Sequence, residues 1–191
     1  MYLSELSFDR LSGFNPYEIH RLLWKYFPRM PDSERPFLFR VEDNDKRSQG
    51  KILMQSKYAP DLSFASKNIQ LLRSKEFAPA FKIGQVIRFF LCANPTKRLS
   101  KERCRVPFIK EEDLTSWLTG KMEPCGSVQA ARVVSRKNLH FQKAGNPGKV
   151  ATVTFDGLLQ VNDPDKLNQL LINGIGTAKS FGCGLLSLAR A

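Results

Sequence analysis

The feature that most constrains this chain is a glycine-rich segment near its C-terminal end. Its four glycines fall within eleven residues: Gly174, Gly176, Gly182 and Gly184. Glycine adopts positive φ and allows close approach of another chain, so the segment can make tight turns or contact a ligand through its backbone. It leaves a helical pattern and enters an apolar run that predicts a strand.

Neither standard nucleotide-binding fingerprint fits this segment. Both run from a strand into a helix, and the phosphate loop needs a glycine where this chain has Ala178, directly before Lys179. Two interpretations remain from the residues alone. One is a helix cap followed by a tight turn, and the other is a backbone-lined cradle for a phosphodiester chain with Lys179 as counter-charge.

The charge of the chain indicates a polyanionic partner. Thirty Lys and Arg against eighteen Asp and Glu give a formal net charge of +12 over 191 residues. Twelve of the basic residues and five of the acidic ones lie between Lys97 and Lys149, so the positive charge is clustered. We expect either a nucleic acid or an anionic membrane surface as the partner.

Several classes of protein are not expected. No apolar run reaches the roughly 18 residues of a membrane span, and the first residues lack the layout of a signal peptide. The four cysteines form no Cys-x-x-Cys pair, and His20 and His140 are the only histidines. The sequence therefore predicts no metal site and no cofactor, and we expect a cytoplasmic protein.

The first part of the chain predicts a strand, a helix, two strands, a helix and a strand. Alternation marks residues 2–9 as a strand, and Asn15 and Pro16 open a helix that Pro28 ends. The further elements are strands at 37–41 and 51–55, a short helix at 61–68 and a strand at 69–73. This order is that of a ferredoxin-like domain.

The second part predicts the same order. A strand at 85–92 is followed by a basic connection, a short helix around Leu114–Leu118 and a long hairpin with arms at 128–141 and 149–161. Asp163 and Pro164 open a last helix, and a final strand follows the glycine-rich segment. We therefore expect an α+β protein of two tandem ferredoxin-like (RRM-like) βαββαβ domains, at residues 1–78 and 81–191.

The first helix offers the candidate catalytic residues. At about 100° per residue, Tyr17, His20 and Trp24 line one border of its apolar stripe, and Arg21 and Lys25 fall on the outer face beside them. Histidine has an unperturbed pKa near neutrality, so it suits proton transfer on a phosphodiester. The alternatives are a histidine that is only packed at a helix border and two cations of an ordinary solvated face.

Several stretches of the chain resemble the CRISPR-associated endoribonucleases that cut repeat RNA, specifically the CasE-type subunit of Cascade. The helix start at 15–21 and the segment from 174 to 187 carry the resemblance, which covers nearly the whole chain, and the segment from 174 to 187 is its most specific part. The other matching stretches are residues 1–4, 91–97, 103–110 and 155–157.

The resemblance implies both a fold and a reaction. Members of that family have two tandem ferredoxin-like domains and cleave precursor CRISPR RNA at the base of the repeat hairpin without a metal ion. They leave a 2′,3′-cyclic phosphate and a 5′ hydroxyl, and they stay bound to the processed RNA. The family's catalytic histidine matches His20, and a tyrosine present in some members matches Tyr17. Arg21 and Lys25 would stabilise the charged phosphorane.

The resemblance also implies that the basic hairpin grips the RNA stem, and we expect the basic connection and the glycine-rich segment to bind RNA as well. The residues expected there are Lys97, Arg98, Arg103, Arg105, Arg132, Arg136, Lys137, Lys143, Lys149, Gly176, Lys179, Gly182 and Gly184. The partners would be the repeat hairpin RNA and the other subunits of a Cascade-like ribonucleoprotein, not a membrane. Two alternatives stay open, namely a non-catalytic subunit that binds structured RNA and a basic protein of the membrane surface or the ribosome.

Overall fold

The computed structural model describes residues 1–9, 15–28, 35–42, 49–64, 68–99, 104–143 and 145–191. The chain divides into two compact units. The first contains Met1–Ala78, His140–Gly148 and Ser180–Gly182, and the second contains Pro79–Leu139, Lys149–Lys179 and Cys183–Ala191. The domain boundaries expected from the sequence stay a prediction.

The first unit is built on a four-stranded antiparallel sheet and one helix. Its elements are β1 (Tyr2–Asp9), α1 (Pro16–Trp24), β2 (Phe37–Glu42), β3 (Gln49–Ser56) and β4 (Ile69–Glu76). The strand order β2-β3-β1-β4 is the ferredoxin-like arrangement, so the predicted fold is confirmed. The helix predicted at 61–68 is not seen at 61–64, and residues 65–67 lie outside the described part of the chain.

The core of the first unit follows from the alternation of its strands, since alternate side chains lie on one face of a sheet. Ile19 and Leu23 of α1 are buried against that face, together with Tyr26 and Phe27 just beyond the helix. The strand residues of the same cluster are Leu6, Phe8, Phe37, Phe39, Ile52, Met54 and Ile69. The predicted apolar stripe of α1 is therefore confirmed.

The second unit has a strand, a helix, two strands, a helix and a strand, with two further short strands inserted after the first strand. These elements are β5 (Val86–Ala93), β6 (Thr96–Leu99), β7 (Cys104–Pro107), α2 (Glu111–Met122), β8 (Gly126–Lys143), β9 (Asn146–Val161), α3 (Pro164–Asn173) and β10 (Leu186–Arg190). The sheet order β10-β5-β9-β8 is again ferredoxin-like. The strands β6 and β7 pair only with each other within the described ranges, in a stretch for which the sequence predicted a basic connection and no strand was assigned.

Helices α1 and α3 begin where the sequence predicted. The Asn15 side chain accepts a hydrogen bond from the backbone N–H of Tyr17 at 3.1 Å, and that of Asp163 accepts one from Lys166 at 3.0 Å. A proline follows each cap, where its missing N–H costs nothing. Over the residues that the structure describes, no helix is long and apolar enough to cross a membrane.

The packing of β9 generates a prediction for Gly157. A Cβ at this position would lie 2.2 Å from the Ala130 carbonyl oxygen and 2.6 Å from Cζ of Phe89. Gly157→Ala must therefore displace backbone, and we expect it to lower the free energy of unfolding by about 1–3 kcal/mol in urea denaturation.

The matched control is Gly120→Ala in α2, where a Cβ meets nothing within 4 Å. Alanine is a better helix former than glycine, so this variant should gain up to about 1 kcal/mol. Equal urea midpoints for the two variants would contradict the close packing inferred at Gly157.

Candidate active site

His20 lies on α1 at the border of the core, half-buried among aromatic rings. Its ring centroid lies 5.7 Å from that of Phe37 and 6.4 Å from that of Phe39, two neighbours on β2. Tyr17, one turn earlier on α1, stacks on the His20 ring, with 6.3 Å between the two ring centroids. The structure thus brings Tyr17 and His20 together as predicted and adds an aromatic wall from β2.

Trp24 holds the other side of the His20 ring. Its indole Nε1–H donates a hydrogen bond to His20 Nε2 at 3.3 Å, and the two rings meet edge to face at 6.2 Å. An indole N–H can only donate, so His20 Nε2 must present its lone pair. A neutral imidazole that accepts at Nε2 bears its proton on Nδ1. This contact therefore favours the tautomer of His20 that leaves Nε2 unprotonated.

Two segments remote in sequence also reach α1 within the first unit. The ring of Phe181 lies 6.3 Å from that of Tyr17 and 4.2 Å from that of Phe141. The Asn15 side chain donates to the Gln142 carbonyl oxygen at 2.9 Å. The start of α1, the tip of the β8–β9 hairpin and the 180–182 segment therefore form one cluster.

Glycine is required at position 182 of this cluster. Gly182 has a φ of +85°, and a Cβ there would lie 3.3 Å from Cε2 of Phe39, the ring that packs beside His20. The same segment carries a residue other than glycine at positive φ, Ala178 at +58°. Such backbone is strained and is retained where surrounding contacts enforce it, often at functional sites.

In the second unit the glycine-rich segment forms a closed loop. Ile175 N donates to Gly184 O at 2.9 Å, and Gly184 N donates to Cys92 O at 2.8 Å. The Lys179 ammonium donates to the Asn173 carbonyl oxygen at 2.6 Å, at the C-terminal end of α3. A cation stabilises a helix C-terminus, so Lys179 has a structural contact in this state of the protein. Its role as counter-charge to RNA stays a prediction.

The two cations of α1, Arg21 and Lys25, make contacts of their own. Arg21 pairs with Glu18 at 3.2 Å, with both side chains more than half exposed, and the Lys25 ammonium lies 5.8 Å from the centre of the Phe64 ring. Exposed ion pairs contribute at most about 1 kcal/mol, so these contacts yield readily to a phosphate.

The β6–β7 ribbon presents cations in an unfavourable arrangement. Lys97, Arg98 and Arg105 are exposed, and the register places Arg98 directly opposite Arg105. Like charges at opposite positions destabilise a strand pair, unless an anion lies between them. Arg103 lies outside the described residues.

The cations predicted for the hairpin do not form one cluster. Arg132 bonds Asp156 of β9, whereas Arg136 donates to the Ile109 carbonyl oxygen at 2.8 Å and pairs with Glu111 of α2. Lys137 and Lys149 are exposed. The side chain of Lys143 lies outside the described part of the structure.

Asp156 is a charged centre that sequence patterns did not single out. It accepts hydrogen bonds from Arg88 of β5 and Arg132 of β8. The hydrogen bonds from Arg88, which have the largest effect, and those from Arg132 lower the pKa of Asp156 to about 2. The carboxylate is therefore ionised at neutral pH.

The sequence missed the aromatic residues that complete the site. Phe37, Phe39, Phe141 and Phe181 contact Tyr17, His20 or each other, but they come from three segments far apart in sequence. No local pattern relates them, since the contacts arise from tertiary packing. Among the described residues, no group of three His, Cys, Asp or Glu side chains is placed to hold a metal ion.

The similarity of this chain to known proteins extends over nearly its whole length. Residues 1–190 match the family described as CRISPR associated protein. The chain is 38% identical over 200 residues to "CRISPR system Cascade subunit CasE" of Escherichia coli K12, with 99% of each chain covered. It is 33% identical over 190 residues to "CRISPR-associated endoribonuclease Cse3" of Thermus thermophilus, with 92% of this chain and 90% of the relative covered.

A solved structure agrees with these similarities. The structure of the CRISPR endoribonuclease Cse3 bound to a 19-nucleotide RNA superposes with a TM-score of 0.89 and 31% sequence identity, over the full length of both chains. The family match spans nearly every residue, and two relatives exceed 30% identity over almost their entire length. The chain described above, with its two ferredoxin-like sheets and its histidine at the border of α1, belongs to the CRISPR-associated protein family of CasE and Cse3.

Proposed function

We propose that this protein is an endoribonuclease that cleaves precursor CRISPR RNA at the base of the repeat hairpin. It stays bound to the product as a subunit of a Cascade-like ribonucleoprotein in the cytoplasm. The observation that carries the proposal is the aromatic setting of His20 beside Tyr17 on α1, in a chain similar to a named endoribonuclease and a named Cascade subunit. Its two domains would be residues 1–78 and 81–191.

The proposed reaction uses the nucleophile that RNA already contains. The 2′-oxygen attacks the adjacent phosphorus while the bond to the 5′-oxygen breaks, which gives a 2′,3′-cyclic phosphate and a 5′ hydroxyl. One group must take the proton of the 2′-hydroxyl and another must supply a proton to the leaving oxygen. We assign these transfers to His20 and Tyr17, and the stabilisation of phosphorane charge to Arg21 and Lys25. No metal ion is required for these steps.

Trp24 imposes an order on this reaction. Its indole N–H occupies the lone pair of His20 Nε2, while Nδ1 of the neutral ring bears the proton. His20 can neither accept a proton at Nε2 nor hold one there while that contact persists. The indole must therefore leave Nε2 before His20 transfers a proton through that nitrogen, and bound RNA is the group that would displace it.

The proposed RNA-binding residues lie on several surfaces. Lys97, Arg98 and Arg105 lie on the ribbon, and Arg132, Arg136, Lys137 and Lys149 lie on the long hairpin strands. Backbone of the glycine-rich segment, with Lys179, would hold the strand near the cut. A-form stems are recognised mostly by shape and by phosphate and 2′-hydroxyl contacts, which suits this distribution of cations.

One observation favours a second candidate, a non-catalytic subunit that binds structured RNA. His20 is already packed and hydrogen-bonded, as a purely structural histidine would be. Incubation of the protein with a CRISPR repeat hairpin separates the candidates, because only the enzyme shortens the RNA.

We expect His20→Ala to lower the single-turnover cleavage rate by at least about 10²-fold, since positioned acid–base groups contribute about 10²–10⁴. Hairpin affinity should stay within a few-fold of wild type, because His20 lies at the border of the core. His140→Ala, on the exposed tip of the hairpin, is the matched control and should cut normally. A His20→Ala protein that folds and cuts at the normal rate would refute the assignment.

A substrate with a single 2′-deoxy residue just 5′ of the scissile phosphate should bind nearly normally but resist cleavage. Its stem contacts are unchanged, whereas the nucleophile is missing. Gel analysis with an all-ribose control measures the outcome. Cleavage of this RNA would mean that water attacks, and the proton-transfer roles of His20 and Tyr17 would then be abandoned.

In the RNA-free protein, long-range ¹H–¹⁵N spectra should show His20 with an unprotonated Nε2 and a protonated Nδ1. Trp24→Phe keeps an aromatic ring but removes the donor, so the Nε2–H tautomer that free histidine prefers should reappear. The His20→Ala spectrum identifies the His20 signals. A wild-type ring protonated at Nε2 would contradict the Trp24 contact.

A further inference from the structure

Two arginines converge on one carboxylate in the sheet of the second unit. Arg88 donates from Nε to Oδ1 of Asp156 and from Nη2 to Oδ2, both at 2.9 Å. Arg132 donates to Oδ2 from Nε at 3.1 Å and from Nη2 at 2.7 Å. The carboxylate side chain is only 9% exposed, whereas those of Arg88 and Arg132 are 57% and 73% exposed. The anion is thus fixed in the sheet, and the cations face solvent.

The charges of this cluster do not balance. One ionised carboxylate neutralises one guanidinium, so the three side chains together carry a net charge of +1. Both guanidinium groups bond the same oxygen, Oδ2, so two positive charges share one carboxylate. A singly charged anion bound to the two guanidinium groups would neutralise the remaining positive charge.

The surroundings leave room and donors for such an anion. Guanidinium carries five N–H donors, and the bonds to Asp156 use those of Nε and one of Nη2 on each arginine. The small residues Ala130, Ala131 and Gly157 border a surface cavity of about 210 Å³ together with the two arginines. Guanidinium groups already held in place lose little further freedom when they bind an oxyanion.

We propose that Arg88 and Arg132, oriented by Asp156, bind one phosphodiester group of the RNA. The inference rests on the proposed function for the identity of the anion. A phosphodiester has a single negative charge and two free oxygens, which matches the excess charge and the paired donors. The net charge of +12 favours a polyanion over an isolated protein carboxylate. Arg88 and Asp156 were not among the residues predicted from the sequence.

The test compares Arg88→Gln with wild type and with Lys166→Gln. Lys166 is an exposed cation of the same unit that pairs with Asp163 at the start of α3, so its variant loses the same charge without touching the cluster. Binding is measured over a series of salt concentrations with two probes, a 2′-deoxy hairpin that resists cleavage and an oligouridine strand. Thermal melting of each protein is recorded in parallel.

We expect Arg88→Gln to bind at least one of the two RNAs several-fold more weakly at low salt. The slope of log K on log salt should fall by about 0.7–0.9, the value of one phosphate contact. Lys166→Gln should keep the wild-type slope. If Arg88→Gln lowers only the melting temperature, or if wild type binds neither RNA, the phosphate site is wrong. Failure of the matching all-ribose hairpin to be cut, with both probes bound, would affect the proposed function alone.

Discussion

The packing of α1 against β2 is the contact on which the candidate active site depends. Ile19 and Leu23 are buried in the core of the first unit, and this fixes the rotation of the helix. His20 then falls at the border, against Phe37 and Phe39, with Trp24 bonded to Nε2. A helix rotated by one residue would bury the imidazole or expose it to water, so the orientation of the reactive ring follows from hydrophobic burial.

A second constraint is the unbalanced positive charge. Arg98 lies opposite Arg105 in the β6–β7 ribbon, and Arg88 and Arg132 share the single carboxylate of Asp156. Each arrangement has more positive than negative charge among these side chains, and a bound anion would neutralise the excess. RNA would supply such anions in series, so the unbalanced cations and the reaction proposed at His20 point to the same class of partner.

Much of the fold was predictable because its signals are local. Alternation identified β1, the Asn15 and Asp163 caps marked the starts of α1 and α3, and the hairpin arms were found as β8 and β9. The helix predicted at 61–68 was wrong over 61–64, where turn residues replace it. The β6–β7 ribbon was missed because strands that pair only with each other have no buried face, and therefore no hydrophobic alternation to detect.

The sequence alone determined the order of elements, the border position of Tyr17, His20 and Trp24, the clustered charge and the resemblance to a known family. Each depends on residue type and on spacing within one segment. Tertiary structure alone decided that Phe181 packs on Tyr17, that Gly182 approaches Phe39 and that Arg88 and Arg132 meet at Asp156. These contacts join residues far apart in the chain, and the spacing of residues within one segment carries no information about which side chains of different segments meet.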